Sequence, residues 1–480
     1  MSIIRKNLDI VQSPVETLPE FLHETSDPRV GLEVESHFVD RDLKAATVSA
    51  YNKLAADVEG RAKISLEAAS TMFEVKNDIP KTPTEGAKAA ADELIGELRV
   101  IEDQIFANDH IMLPHSILPW SDFRELAKTH IHPGPNPRPT SFINYFMANN
   151  PSRAQNFITV AGQQSSLTHR TPEDTLRYYN RLAHLAPILA SVMSTVPPYA
   201  VLENGALSEV KTNLSLSRRL KTAGGAHNAF PILGEVQRID AANAERFMSR
   251  WNDQNWDTPI FSYYDPNDTD DFTRLKHFEG GAMVSFRDLP EHLQTRENFN
   301  MASSIQYGLI TMSHIPASGD RPDLRRAEAR LYDTGTANQI RAVAGLTFAL
   351  AFDDEFGERT DHFLKSRGFK ADTPAITMPV LTDTVDKVAH MSFDSLSELP
   401  YGNTSIADAA VKFFVHVINP LLDQHPELSG VAHHILKGSS PALDFRKAVA
   451  GDERAFKDRI QNRTATYQNP DVLPPELAVF

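Results

Sequence analysis

Between Val30 and Val39 the chain reads V-G-L-E-V-E-S-H-F-V. Side chains alternate across a strand with a period of two. Leu32, Val34, Ser36 and Phe38 therefore share one face, and Glu33, Glu35, His37 and Val39 the other. The pattern fits a half-buried strand with acids on one side. Two segments far away in sequence repeat it. Thr71–Lys76 (TMFEVK) sets Phe73 and Val75 against Glu74, and Ala327–Asp333 (AEARLYD) sets Ala329 and Leu331 against Glu328, Arg330 and Tyr332. Taken singly, each polar face is an ordinary solvated one. Paired in one sheet, the three strands would gather their carboxylates on one surface, where they repel one another unless a cation is present. Hard divalent ions such as magnesium take oxygen ligands and commonly bind phosphate as well. An Arg on the same face suits phosphate oxygens.

The helices announce themselves by caps. Thr82-Pro83-Thr84-Glu85 is a capping box with Pro at the first helical position, and Ala87, Ala91, Leu94, Leu98, Ile101 and Ile105 follow on one apolar face. Thr171-Pro172-Glu173-Asp174 opens a second helix that runs toward Met193. Further helices are expected over about Ala337–Phe352 and about Ser405–Ile418, the latter stopping before Pro420. Strands occur near both ends of the long helices without regular βαβ alternation. That favours an α+β fold with a mainly antiparallel sheet over a doubly wound one. His132–Pro139 (HPGPNPRP) and the tail from Asn469 read as linkers or mobile loops, because closely spaced prolines oppose regular structure. Asp265–Asp271 (DPNDTDD) reads as a turn-rich acidic loop.

At 480 residues the chain allows roughly two to four domains, or one large enzyme fold with insertions. It carries 63 acids against 48 bases, a net charge of -15. That excess repels phosphate backbones and anionic lipid, so neither nucleic acid nor membrane is an expected partner. Cysteine is absent, which excludes disulfides, thiolate zinc sites, iron–sulfur clusters and a Cys nucleophile. The N-terminal MSIIRKNLDIVQSPVE has no apolar core of a secretory leader. The longest apolar stretch, Ala342–Phe352, is short of the ~20 residues a membrane span needs; the cytoplasm is the expected location. The sequence has no GxxxxGK[ST] loop, no GxGxxG opening a helix and no GxSxG elbow. A nucleotide would therefore be held through metals and side chains rather than a glycine cradle.

In their order and spacing these segments resemble the glutamate–cysteine ligases, carboxylate–amine ligases related to glutamine synthetase. Gly31-Leu32-Glu33-Val34-Glu35 is similar to the family's GxExE opening strand. Ile64–Pro80 resembles the next element, where two acids sit seven apart, here Glu67 and Glu74. Met112–Trp120 (MLPHSILPW) resembles a "PLSMP"-like segment, and Val160–Tyr199 the central strand and helix. Arg326–Leu350 resembles the "EvRxxD" strand and the helix after it. The likeness runs in patches from about Val30 to Leu350.

The resemblance implies a sheet curved into a half-barrel, with helices outside and the active site inside. Residues 1–400 would form the catalytic unit with insertions, and 401–480 a C-terminal helical extension. It implies that ATP phosphorylates the side-chain carboxylate of L-glutamate and that an amine, L-cysteine in the best-known members, attacks the acyl phosphate. Glu33, Glu35, Glu67, Glu74 and Glu328 would be magnesium ligands. Arg330 would hold phosphate oxygens in flight beside Glu328, and Gln164 and Arg219 would contact nucleotide or substrate. The chain also departs from the family's pattern. Gln164 stands where a His or Gln is usual, and Ser166 where Asn is usual. Arg219, in Ser217-Arg218-Arg219, stands for a Ser-x-Arg contact to the glutamate carboxylate. These differences fall in the substrate-binding half. They leave open another amine or amino-acid acceptor, or a ligase-like fold used only for binding.

Other features carry plainer readings. His130 and His132 form an H-x-H without a third ligand nearby and read as loop histidines rather than a zinc site. His433-His434 read as surface. Gly224-Gly225 is either a lid over phosphate or a plain turn. Trp251, Trp256, Tyr263 and Tyr264 read as the packing of a subdomain core.

Overall fold

The acid-faced segment at Val30–Val39 is realised as the long strand β1 (Arg29–Asp40) inside a seven-stranded sheet. The others are β2 (Ser65–Leu66), β3 (Met72–Lys76), β4 (His110–Leu113), β5 (Gly162–Thr168), β6 (Ile310–Ile315) and β7 (Leu324–Asp333). The order is β6-β7-β5-β1-β3-β2, with β4 pairing the far end of β1, and every pairing is antiparallel. The computed structural model describes residues 10–22, 24–25, 27–67, 69–131, 137–168, 170–202, 204–224, 239–268, 273–315, 324–369, 378–437, 439–449 and 452–461. The tail from Asn469, His132, Gly225 and the end of the Asp265–Asp271 loop lie outside them.

Helices flank this sheet. In chain order those used below are α1 (Gly86–Ala107), α2 (Pro137–Asn149), α3 (Pro151–Thr159), α4 (Pro172–Val192), α5 (Leu214–Ala223), α6 (Ala241–Asp257), α7 (Arg296–Ser304), α8 (Ala337–Phe352) and α9 (Ile406–Phe413). The apolar face read in α1 is buried at Ala87, Ala91, Leu94, Leu98, Ile101 and Ile105. The cap ahead of it forms its two reciprocal bonds, Thr82 N to Glu85 Oε2 at 2.8 Å and Glu85 N to Thr82 Oγ1 at 3.4 Å. The helix proper starts one turn later than the cap suggested. Thr171 caps α4 by accepting from the Asp174 amide at 3.2 Å, and Thr336 with Gln339 boxes the start of α8. The inward residues of the sheet, Val30, Leu32, Val34, Phe38, Phe73 and Val75, join α1, α4 and α8 in one core. The sheet's opposite face is left for polar side chains.

Several expectations change. In β7 the pairing with β5 slips: Ala329 lies opposite Ser165 and Tyr332 opposite Gln163. Three steps on β7 match two on β5, a β-bulge that turns the residues after it to the other side. Tyr332 is therefore buried in the core rather than sharing the face of Glu328 and Arg330. Pro137–Pro139, read as loop, begins α2, because Pro is tolerated in a first helical turn. Trp251 and Trp256 on α6 belong to the main core, not to a separate one. His434 is not at the surface: its Nδ1 lies 3.2 Å from Asp444 and its side chain is 12% exposed. Gly224 ends α5 with φ of 89°, a left-handed C-cap that suits Gly. Ile406, Phe413 and Val417 from the C-terminal stretch pack into the same core as the sheet helices. Among the described residues no helix is long and apolar enough to cross a membrane.

Candidate active site

The polar face of the sheet looks into a cavity of about 450 Å³. Phe142 of α2, Phe157 of α3, Arg219 and Thr222 of α5, and the connection from Ser304 to Leu309 close the other side. Period-two alternation on three neighbouring strands puts Glu33 and Glu35 (β1), Glu74 and Lys76 (β3), and Gly162 and Gln164 (β5) on that one face. Glu35 lies directly opposite Glu74; Glu33 lies opposite Lys76 on one side and Gln164 on the other. Glu67 follows β2 and reaches the same cavity, where it shares a hydrogen bond with Glu74.

Like charges opposed across a ladder are unfavourable, and burial adds to the cost of charging them. Burial raises Glu35 to about 7, and Glu74 adds to the rise against the pull of Arg219. Burial, then the neighbouring Glu74 and Glu35, hold Glu67 well above the usual carboxylate range. Glu33 is also raised, again chiefly by burial, although Arg326 opposes the change. A divalent cation in the cavity would favour the charged carboxylates and oppose these rises.

Cations line the same space. Arg326 Nη1 donates to Glu33 at 3.1 Å and to Ser166 Oγ at 3.0 Å, and its Nη2 lies 2.8 Å from Glu328. Arg330 Nε donates to Glu328. Lys76 donates to Glu74 at 2.9 Å. Arg219 donates to the carbonyl of Arg330. Glu35 accepts from the Gly162 amide at 2.6 Å and from Gln164 Nε2 at 3.1 Å.

Of the residues singled out in the sequence, Glu33, Glu35, Glu67, Glu74, Gln164, Arg219 and Arg330 meet in this cavity. Glu328 does not line it. Its side chain is fully buried behind the wall, between Arg326 and Arg330. Burial alone would raise its pKa, but Arg326 and then Arg330 reverse that and hold it below the usual range. Arg218, next to Arg219, is also turned away, donating to Thr159 Oγ1 at 2.8 Å and the Val201 carbonyl at 3.1 Å. Sequence reading missed Arg326 and Lys76. Both stand two residues from a recognised acid on the same strand, so alternation would have found them. Among the described residues no three acid or imidazole groups already converge as a metal cage. Magnesium rarely needs one, since it is usually held by one or two carboxylates plus phosphates and water.

Two results are expected from this geometry. A Cβ on Gly162 would sit 2.7 Å from Arg219 Nη2, so Gly162→Val should push the guanidinium out of place. Misplacement of about 1 Å can cost roughly 100-fold in rate. Any turnover this cavity carries should fall by that order while circular dichroism stays native. The second concerns pH. A carboxyl whose folded pKa is raised stabilises the fold below its unfolded pKa and loses that contribution as pH rises through the folded value. With Glu35 moved to about 7, the metal-free protein should lose on the order of 3 kcal/mol from this group between pH 4 and 8. Glu35→Gln should flatten that slope in denaturant titrations.

No protein-family model and no curated protein matches the chain. Solved structures do. A glutamate–cysteine ligase of Francisella tularensis, determined in complex with AMP, matches with a TM-score of 0.56 at 12% identity, over 95% of this chain and 92% of its own. A bifunctional glutathione synthetase of Pasteurella multocida matches with a TM-score of 0.47 at 12% identity, over 94% of this chain and 53% of its own. The first of these shows a fold of the glutamate–cysteine ligase kind, which is the resemblance read in the sequence.

Proposed function

We propose that the chain is an ATP- and magnesium-dependent carboxylate–amine ligase that joins the γ-carboxylate of L-glutamate to an amine, most simply L-cysteine. The observation that carries the reading is one cavity with Glu33, Glu35, Glu67 and Glu74 on one side of it and Arg219, Arg326 and Arg330 among its cations, in a fold shared with a ligase of this kind. In this reading the sheet is the wall of a half-barrel.

The four acids are hard oxygen donors whose mutual repulsion a divalent cation relieves, so the residues fit magnesium. Bound there, magnesium would supply charge neutralisation for the phosphates of ATP. The remaining work falls to this chain's side chains. Arg330, held by Glu328, and Arg326 meet the phosphoryl oxygens in transfer; preorganised cations of this sort stabilise charge without reorganising. Arg219 takes a carboxylate of the donor, for which a planar guanidinium is well matched. Phe142, Phe157 and Tyr307 cover the polar floor and limit water, which would otherwise hydrolyse an activated acyl group. A carboxylate oxygen of the donor bonds to the γ-phosphorus and ADP leaves. The amine nitrogen then bonds to the acyl carbon, and phosphate leaves with that oxygen.

The test is ADP formation by purified protein given ATP, magnesium and glutamate, with amines added one at a time. Amine-dependent ADP above background supports the reading. No response to any amine, cysteine included, sinks it.

A further inference from the structure

Arg219 enters the cavity from α5, but its guanidinium is fixed by the far end of the sheet. It donates to the carbonyls of Arg330 and, at 3.3 Å, Ala161, and its Nη2 lies 3.6 Å from Asp333 Oδ1. Asp333 is itself buried and held. It accepts from Ser215 Oγ at 2.6 Å, from the Thr195 amide at 2.9 Å and from Ser194 Oγ at 3.3 Å. Ser215 lies in the first turn of α5, and Ser194 and Thr195 follow α4. One carboxylate therefore ties the end of β7 to the helix that carries Arg219 and to the turn after the central helix.

Its direction depends on the bulge. Asp333 lies opposite Gly162, on the cavity side. Strict alternation from Glu328 and Arg330 would put Tyr332 on that side and turn Asp333 into the helical core. The extra residue between Ala329 and Tyr332 reverses this, burying the phenol and aiming the carboxylate behind Arg219. Gly162 completes the arrangement: a Cβ there would occupy the guanidinium's place.

We propose that Asp333, delivered by the β7 bulge and locked by Ser215 and Thr195, is a positioning residue that sets the aim of Arg219 across Gly162. Asp333 does not line the cavity and acts on a ligand only through Arg219. The kinetic part of the claim rests on the ligase reading; the placement of Arg219 does not.

Crystal structures of Asp333→Asn and of the milder Ser215→Ala are the first test. Arg219 is expected to leave the Arg330 carbonyl in Asp333→Asn, and to shift in the same direction but less in Ser215→Ala. Kinetics with ATP, magnesium, L-glutamate and an active amine are the second. Asp333→Asn should raise the KM for glutamate roughly tenfold with a much smaller change in kcat, the pattern of lost donor binding. In an Arg219→Gln background the same substitution should add nothing to that KM. An unmoved Arg219 in Asp333→Asn overturns the proposal. So does an equal loss from Asp333→Asn with and without Arg219, which would mark Asp333 as a fold residue only. If the wild type turns over no donor with any amine, the ligase reading fails, and the position of Arg219 still decides this inference.

Discussion

Glu328→Ala is expected to cost about 3–5 kcal/mol of folding stability, the range for removing one partner of a buried ion pair. The carboxylate is fully buried between two guanidiniums, Arg326 at 2.8 Å on one side and Arg330 on the other. Its loss leaves two guanidiniums, 20% and 28% exposed, crowded together without their shared counter-ion. Coulomb repulsion then drives Arg330 off its present position. Turnover should fall with stability, by roughly 100-fold or more, since removing one preorganised charge contact commonly costs 10²–10³. The measurement is denaturant unfolding with and without magnesium, alongside phosphate release. If Glu328 serves as a clamp, its removal destabilises the protein equally with and without magnesium. If it serves as a magnesium ligand, as the family resemblance implies, the metal-free protein is nearly unaffected and only magnesium-induced stabilisation disappears.

Glu35→Gln should do the opposite to stability and more to activity. Glu35 faces Glu74 across the ladder and has its pKa raised to about 7 by burial and that neighbour. An uncharged amide of the same shape removes the repulsion and keeps an oxygen for the Gly162 amide. The metal-free protein should therefore gain about 1–3 kcal/mol at pH 8. Magnesium-dependent turnover should drop roughly 10²–10³-fold, because charge that neutralises the phosphates at the reacting centre is worth that much. A site that gives up stability for function behaves in this way. A Glu35→Gln protein that loses stability at pH 8, or keeps full activity, would contradict the account of the acid cluster.

What could be read beforehand was what local periodicity controls. Alternation placed Glu33, Glu35 and Glu74 on faces, and antiparallel pairing brought those faces together as expected. The caps at Thr82 and Thr171 marked helix starts, the first a turn early, because the bonds they make are local. What could not be read depends on partners distant in sequence. Nothing in A-E-A-R-L-Y-D announces a bulge; it arises from the match between β7 and β5, and it moves both Tyr332 and Asp333. Glu328 has the same alternation phase as Glu33, yet two arginines flanking it on its own strand draw it behind the wall. His434 left the surface because Asp444, on a later helix, packs beside it.

The central claim is that a carboxylate is activated by phosphorylation in the Glu33–Arg330 cavity. It is tested most directly by supplying L-glutamate labelled with ¹⁸O in its γ-carboxylate, together with ATP, magnesium and an active amine. Phosphate released by the wild type should carry one labelled oxygen per turnover, taken from the glutamate. Phosphate that carries no label from glutamate while ADP accumulates would contradict the account.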